Sequence, residues 1–165
     1  MIEGDRSPRA YVAVCGPADA TEEERALAEE VGRRLAEADA VVLCGGLDGV
    51  MDAVARGTAK GGGISIGLLP GEDRADAGTN LTLSLPTGMG EIRNALLVRA
   101  ADVVIAISGE FGTLSEIAFA LRTQKPVVGL DTWELAKAGE PVDAFVRART
   151  PEEAVERSLE LARGS

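Results

Sequence analysis

The stretch DVVIAISGEFGTLSEIAFALRT, residues 102–123, contains one complete strand, turn and helix. Residues 102–107 (DVVIAI) are nearly all apolar, which is typical of a strand buried on both faces of a parallel sheet. Residues 108–112 (SGEFG) predict a glycine-containing turn, and residues 113–123 predict a helix. In an open parallel sheet, ligands bind beyond the carboxyl ends of the strands, which is where these glycines fall.

The same alternation of strand and helix continues in both directions along the chain. Strands are predicted at residues 11–15, 40–44, 64–69, 81–85, 127–130 and 144–148. Helices are predicted at about residues 48–60 and 91–100, and after the capping sequences that begin at Thr21 and Thr150. This order predicts an α/β fold: one Rossmann-like, doubly wound, mostly parallel sheet of about six or seven strands with helices on both faces. We expect residues 1–9 to form a flexible N-terminal arm and residues 10–165 to form a single domain.

Composition narrows the chemistry that the chain can perform. Its 165 residues include 17 Lys and Arg, 27 Asp and Glu and no His, which gives a net charge of −10. An acidic chain lacks the clustered Lys and Arg that bind the phosphate backbone of a nucleic acid, so we expect no nucleic-acid partner. Without His there is no Ser-His-Asp triad and no His-ligated metal, and we expect no metal site. Acid–base chemistry must then use carboxylates, Lys, Cys or Tyr.

Location and thiol chemistry follow from three simple features. No apolar run reaches the length of a membrane span, and the N-terminus MIEGDRSPRA has no apolar signal core, so we expect no membrane partner. The two cysteines, Cys15 and Cys44, form no CxxC pair and end apolar runs, which favours small core residues over reactive thiols. A cytoplasmic protein with reduced thiols is the simplest interpretation.

The first candidate ligand segment is GGLDGVM, residues 45–51, between a predicted strand and a predicted helix. Glycines at such a junction let the backbone approach a ligand and direct free N–H groups at an anion. A tight turn without a ligand explains them equally well. Together with the glycine that follows the first predicted strand, the candidate contacts are Gly16, Gly45, Gly46, Gly49, Val50 and Met51.

The second candidate is residues 108–116, SGEFGTLSE. Gly109 and Gly112 flank the turn, and the hydroxyl and N–H of Thr113 are suited to hold a phosphate at the start of the helix. Glu116 follows one helical turn later on the same face. The alternative is an ordinary capping box formed by Thr113 and Glu116, with no ligand.

The third candidate is residues 87–94, TGMGEIRN. Gly88 precedes a helix whose first turn contains Arg93 and Asn94. The helix dipole disfavours a cation at this end, so binding of a ligand, or pairing with Glu91 or Glu116, would explain the arginine. A solvated arginine is the alternative.

Taken together, these three segments resemble the superfamily of LOG proteins and molybdenum-cofactor carriers, which is distantly related to DprA. The resemblance covers about residues 11–130. Members are often labelled lysine decarboxylases, a label that implies pyridoxal phosphate. None of the three lysines, Lys60, Lys125 and Lys137, has the setting of a Schiff-base lysine, so we reject that activity.

The resemblance to LOG proteins implies a phosphoribohydrolase, which cleaves a nucleoside 5′-monophosphate to its base and ribose 5-phosphate. The LOG motif PGGxGTxxE falls on residues 108–116, with Ser108 in place of the proline and Glu110 in place of the second glycine. The matching residues are Gly109, Gly112, Thr113 and Glu116, preceded by Arg93 at the catalytic arginine, with Asn94 where LOG proteins have lysine. In such an enzyme, Glu116 would stabilise oxocarbenium charge or activate water, and Arg93 would orient Glu116 or the phosphate.

The Arg-Asn pair, the TGMG sequence and GTLSE are more similar to the carrier branch, whose members hold a pterin monophosphate without transforming it. We therefore expect a nucleotide-binding domain that holds a small phosphorylated heterocycle, either a nucleotide or a molybdopterin-type cofactor. The hydrolase is the alternative, and an oligomer with a decayed site is a third. Glu110 would favour decay, because its charge repels an anion and a positive φ there would add strain.

The resemblance also implies a homodimer or homotetramer. The predicted helices at 91–100 and 113–123 are apolar over more than one face, which is typical of buried or interface helices.

Overall fold

The computed structural model describes residues 9–164 and contains a seven-stranded parallel sheet with the order β4-β3-β2-β1-β5-β6-β9. The strands of this sheet are β1 (Tyr11–Cys15), β2 (Val41–Cys44), β3 (Ile64–Leu69), β4 (Leu83–Pro86), β5 (Val103–Ile107), β6 (Val127–Leu130) and β9 (Val146–Ala148). A separate antiparallel hairpin consists of β7 (Leu135–Lys137) and β8 (Glu140–Val142). The helices are α1 (Glu22–Glu37), α2 (Val50–Lys60), α3 (Arg93–Ala100), α4 (Phe111–Arg122) and α5 (Pro151–Arg163). The predicted α/β, doubly wound, parallel fold is confirmed.

Two apolar layers cover the two faces of the sheet. Residues of α1, α2 and α5 pack with Val12 and Val14 of β1 on one face. Residues of α3 and α4 pack with Ala13 and Cys15 of β1 on the other. Alternate side chains of a strand point to opposite faces, so both layers need apolar strand residues, and this explains the near-continuous apolar runs.

Two helix starts fit the sequence in different ways. Thr21 caps α1 as predicted: its hydroxyl accepts from the N–H of Glu24, and the Glu24 carboxylate accepts from the N–H of Thr21. By contrast, α4 begins at Phe111, two residues before the predicted start at Thr113. Glu110 is the N-cap residue, in an extended conformation with φ −100°. The chain enters the helix straight from this extended residue, so Thr113 lies inside the first turn.

The remaining differences are at element ends. The strand predicted at 81–85 is observed at Leu83–Pro86, and a short 3₁₀ turn (Gly90–Ile92) precedes α3. The β7–β8 hairpin lies in a stretch where no strand or helix is predicted. The flexible arm predicted for residues 1–9 lies outside the described residues except at Arg9, which pairs with Asp39 at 2.8 Å. Within residues 9–164, no helix has both the length and the apolarity to cross a lipid bilayer.

Candidate functional site

Arg93 is a buried cation, not the solvated arginine that the sequence left open. It is the first residue of α3 and is only 7% exposed. A Cβ added to Gly45, just beyond β2, would lie 2.3 Å from Nη1 of Arg93 and 2.5 Å from Sδ of Met51. Glycine at position 45 therefore leaves room for the Arg93 guanidinium, and a larger residue there would displace the ends of the Arg93 and Met51 side chains.

The guanidinium of Arg93 lacks the partners that a buried charge normally has. Its Nε is buried without a hydrogen-bond partner. Among the ion pairs of residues 9–164, none joins Arg93 to a carboxylate, so pairing with Glu91 or Glu116, one of the alternatives for this arginine, is not formed at salt-bridge distance. Burial lowers the pKa of Arg93, and attraction to Glu116 opposes that change. A buried guanidinium with an unpaired Nε–H is costly, which makes this position suited to an anion.

Glu116 is also buried, at 7% exposure, in the second turn of α4. Burial raises its pKa to about 7, while a hydrogen bond from the Cys15 side chain and the charge of Arg93 act in the opposite direction. The capping-box alternative for Thr113 and Glu116 is wrong, because the helix starts at Phe111 and Glu116 points inward. A carboxyl group with this pKa exchanges its proton near neutral pH.

The β5–α4 loop has a defined shape that departs from the LOG pattern. Ser108 has φ +50° and Gly109 has φ +121°. Proline is restricted to φ near −65°, so the proline of the LOG motif is incompatible with this loop conformation. The N–H of Ser108 donates to the Leu130 carbonyl at 3.0 Å, and its hydroxyl donates to the Glu24 carboxylate. The hydroxyl of Thr132 donates to the Ser108 carbonyl, so the ends of β5 and β6 are tied together.

Glu110 does not carry the backbone strain that the sequence suggested. Its φ of −100° is ordinary for any residue, and that expectation is wrong. The side chain is exposed and makes no capping hydrogen bond to the helix. Solvent weakens the repulsion that an exposed carboxylate exerts on a nearby anion.

The N-terminus of α4 offers free N–H donors. Within the described chain, the amides of Phe111, Gly112 and Thr113 donate to no backbone carbonyl, whereas Leu114 donates to Glu110 at 3.0 Å. Gly112 is exposed, and a Cβ added there would meet nothing within 4 Å. Thr113 is buried at the same turn and lies against Gly109, where a Cβ would come within 2.5 Å of the Thr113 Cβ.

The other glycine-rich segment packs against protein rather than open space. A Cβ at Gly16 would lie 2.6 Å from Val50 Cγ1, and a Cβ at Gly49 would lie 2.2 Å from the Pro17 carbonyl. The N–H of Val50 donates to the same carbonyl at 3.0 Å, and Val50 is fully buried. Gly46 likewise lies against a core leucine, Leu69. These contacts favour the tight-turn explanation for Gly16, Gly46, Gly49 and Val50.

Two further candidate residues lie at the rim of this region. Gly88 is exposed, and its N–H donates to the Gly71 carbonyl at 2.9 Å, which fixes the loop after β4. Asn94 is half-buried at the second position of α3. Among the described residues, no group of His, Cys, Asp or Glu side chains is placed to hold a metal ion.

The structure therefore places only some of the candidate residues predicted from the sequence close to one another. The carboxyl-edge site, as we name it, comprises Cys15, Gly45, Arg93, Glu116 and the first turn of α4. Sequence interpretation missed Cys15, which it assigned to the core. One sequence feature could have indicated Cys15 as a site residue: it is the last residue of a strand and directly precedes Gly16, at the carboxyl edge of the sheet where ligands bind.

Comparison with known proteins gives consistent relatives. The model of the SLOG cluster4 family matches residues 9–155. An uncharacterized protein of Archaeoglobus fulgidus is 36% identical over 149 residues, covering 87% of this chain and 91% of the relative. The molybdenum cofactor binding protein of Rippkaea orientalis superposes with a TM-score of 0.86 at 32% identity, covering 94% of this chain and 99% of the other. The molybdenum cofactor carrier protein of Chlamydomonas reinhardtii superposes with a TM-score of 0.83 at 29% identity, with the same two coverages.

Proposed function

The chain belongs to the SLOG cluster4 family, within the superfamily of LOG proteins and molybdenum-cofactor carriers, and we propose that it binds a phosphorylated heterocycle without transforming it. The ligand is a nucleoside monophosphate or a molybdopterin-type cofactor, and it binds at the carboxyl-edge site. The observation that carries the proposal is Arg93: a buried guanidinium whose Nε has no partner in the protein. A phosphate or another ligand anion would supply the missing partner.

The first turn of α4 supports the same ligand chemistry. Three successive amides at the start of a helix are free to donate, and the helix dipole adds partial positive charge there. The open space over Gly112 lets a phosphate approach these amides closely. Glu116 is compatible with an anion because a carboxyl group with a pKa of about 7 is partly protonated at neutral pH.

Similarity favours a carrier over an enzyme. The superposed relatives are named as proteins that bind or carry the molybdenum cofactor. Two residues of the LOG motif are replaced, by Ser108 and Glu110, and Asn94 stands where LOG proteins have lysine. Lys60 pairs with Glu29, Lys125 contacts the Ala101 carbonyl and Lys137 is exposed in β7, so we propose no pyridoxal-phosphate activity.

One observation favours the phosphoribohydrolase as a second candidate. Glu116 is buried, and its pKa of about 7 is suited to a general acid or base in the cleavage of an N-glycosidic bond. Under this reading Arg93 orients the phosphate or Glu116.

Thermal shift and turnover assays separate these candidates. AMP, related nucleoside monophosphates and a pterin monophosphate are tested against adenosine and the phosphate-free pterin. A carrier is expected to be stabilised by a phosphorylated compound and to release no ribose 5-phosphate. Release of ribose 5-phosphate from AMP would establish the hydrolase instead. Absence of a shift with every phosphorylated compound would favour the decayed site.

We further propose a homodimer or homotetramer, as the resemblance implies. Apolar side chains are exposed along β4 and around α3: Leu83, Leu85, Met89, Ile92 and Leu96. Exposed large apolar side chains concentrated within residues 83–96 are the kind of surface that a protein interface covers. Light scattering tests this, with Ile92→Glu expected to lower the mass to that of a monomer. A monomeric wild-type chain would contradict it. A single domain over residues 10–165, a cytoplasmic location and the absence of a nucleic-acid partner stay predictions.

A further inference from the structure

Glu24, in the first turn of α1, contacts the loop that leads into α4. One oxygen of its carboxylate, Oε2, accepts from the N–H of Thr21 at 2.8 Å and completes the cap of α1. The other oxygen, Oε1, accepts from the hydroxyl of Ser108, which lies 84 residues later in the chain. The same carboxylate therefore joins the start of α1 to the loop that follows β5.

Ser108 has a backbone conformation that needs support from its surroundings. Its φ of +50° lies in the left-handed region, which residues with a Cβ rarely adopt. Its hydroxyl, N–H and carbonyl are all hydrogen-bonded, to Glu24, Leu130 and Thr132 respectively. A strained residue persists only where the surrounding structure fixes it, so each of these three contacts helps to hold Ser108 in place.

The conformation of Ser108 determines how the chain enters α4. Gly109 follows with φ +121°, and a Cβ added there would lie 2.5 Å from the Cβ of Thr113 in the first turn. Glu110 is then extended, and its carbonyl accepts from the N–H of Leu114 at 3.0 Å. The backbone direction at Ser108 therefore sets where the free amides of the first turn point.

We propose that Glu24 is a positioning residue of the carboxyl-edge site: its carboxylate holds Ser108 in the left-handed conformation and so directs the free amides of the first turn of α4. The inference rests on the proposed function only in assigning an anion to those amides, because the hydrogen bond exists without a ligand. The hydrogen bonds from Ser108 and Thr21 also lower the pKa of Glu24. The carboxylate is therefore charged at neutral pH, and a charged acceptor holds a hydroxyl more strongly than a neutral one.

Thr21 provides a matched control within the same cap. Its hydroxyl accepts from the N–H of Glu24 at 3.2 Å, so Thr21→Ala weakens the start of α1. That change leaves both partners of the Glu24 carboxylate in place, the N–H of residue 21 and the hydroxyl of Ser108. It therefore separates the capping of α1 from the contact with the loop.

Amide hydrogen exchange in the ligand-free protein measures the loop directly. The amides of Ser108 and of Val104, the reference in β5, both donate to backbone carbonyls. Glu24→Ala is expected to lower the protection factor at position 108, relative to that at Val104, at least about threefold. Ser108→Ala removes the other partner of the same hydrogen bond, so combining the two changes is expected to lower the ratio no further than either one alone. Thr21→Ala is expected to leave the ratio unchanged.

Two outcomes would overturn the positioning role. One is an unchanged ratio in Glu24→Ala, and the other is an equal fall in Thr21→Ala. If Glu24→Ala does not fold, Ser108→Ala decides, because it breaks the same hydrogen bond and leaves the cap of α1 intact. An unchanged ratio in that variant contradicts the proposal.

Ligand binding is measured separately, by calorimetric titration of the same variants with AMP and with a pterin monophosphate. Glu24→Ala is expected to weaken binding at least about threefold, because the free amides are no longer held in one orientation, and Thr21→Ala is expected to leave the affinity unchanged. If the exchange ratio falls as expected and neither compound binds the wild type, the proposed function fails while the hold of Glu24 on Ser108 stands. If a compound binds the wild type and Glu24→Ala equally, the positioning role fails and the proposed function stands.

Discussion

Replacing Glu116 with Gln perturbs a buried carboxyl group whose pKa is raised by burial. Burial raises the pKa of Glu116 from 4.5 to about 7 in the folded chain, and the unfolded chain restores the lower value. The folded state therefore holds this proton more tightly than the unfolded state. The resulting stabilisation is complete below about pH 4.5 and is lost as the pH rises through about 7. At about 1.4 kcal/mol per pH unit, the difference is about 3 kcal/mol, a large part of the roughly 5–15 kcal/mol that stabilises a typical domain.

Urea unfolding at a series of pH values between about 5 and 8 measures this effect. The chain has no His, the residue that normally titrates in this range, so the contribution of Glu116 is not hidden. The unfolding free energy of the wild type is expected to fall by about 2–3 kcal/mol across the range, whereas that of Glu116→Gln stays nearly constant. Glu110→Gln, an exposed change at the start of the same helix, is expected to follow the wild type. A flat wild-type profile, or an equal slope in Glu116→Gln, would show that the folded chain does not hold the Glu116 proton more tightly than the unfolded chain.

Three further substitutions test separate contacts. Gly57→Ala places a Cβ 1.8 Å from the Glu29 carbonyl oxygen, where α1 and α2 pack together. We expect the free energy of unfolding, measured in urea, to fall by about 2–4 kcal/mol. An unchanged free energy of unfolding would contradict the close approach of these helices. Gly45→Ala places a Cβ 2.3 Å from Arg93 Nη1 and would displace the guanidinium. We expect it to weaken the binding of AMP at least about tenfold. Unchanged affinity would show that Arg93 makes no ligand contact. Glu110→Gly removes an exposed negative charge beside the first turn of α4 and is expected to strengthen AMP binding about two- to fivefold at low salt, with the gain decreasing as salt is added. A gain that is independent of salt would point to a steric block by Glu110 instead.

The fold could be predicted from the sequence because the apolar runs of the strands are short and have clear ends. Strands β1, β3 and β6 end where the runs at 11–15, 64–69 and 127–130 end, because buried parallel strands need apolar residues on both faces. The first residue of α4 could not be predicted in the same way. Thr113 has the local pattern of a cap, but tertiary contacts of the Ser108–Gly109 turn set the helix to begin earlier.

The candidate site was predictable only in part. The motif positions of Arg93 and Glu116 are visible in the sequence, but the depth of Arg93 depends on the space above Gly45, which lies 48 residues away in the chain. The proximity of Cys15 to Glu116 depends on which sheet face a strand residue takes and on the rotation of a helix 101 residues later. Local patterns do not contain that information, so a residue that contacts the site resembled an ordinary core residue.

Calorimetric titration of the wild-type chain and of Gly112→Ala with AMP and with a pterin monophosphate measures directly whether the first turn of α4 binds an anion. Alanine at this helical position meets nothing within 4 Å and is expected to keep or raise stability by up to about 1 kcal/mol, so a lost affinity cannot be attributed to unfolding. Ala118→Ser, an exposed change later in the same helix, is the control. We expect saturable binding of at least one compound to the wild type and to Ala118→Ser, weakened at least about tenfold in Gly112→Ala. Absence of binding to the wild type, or equal affinity in Gly112→Ala, would contradict an anion site at the first turn of α4.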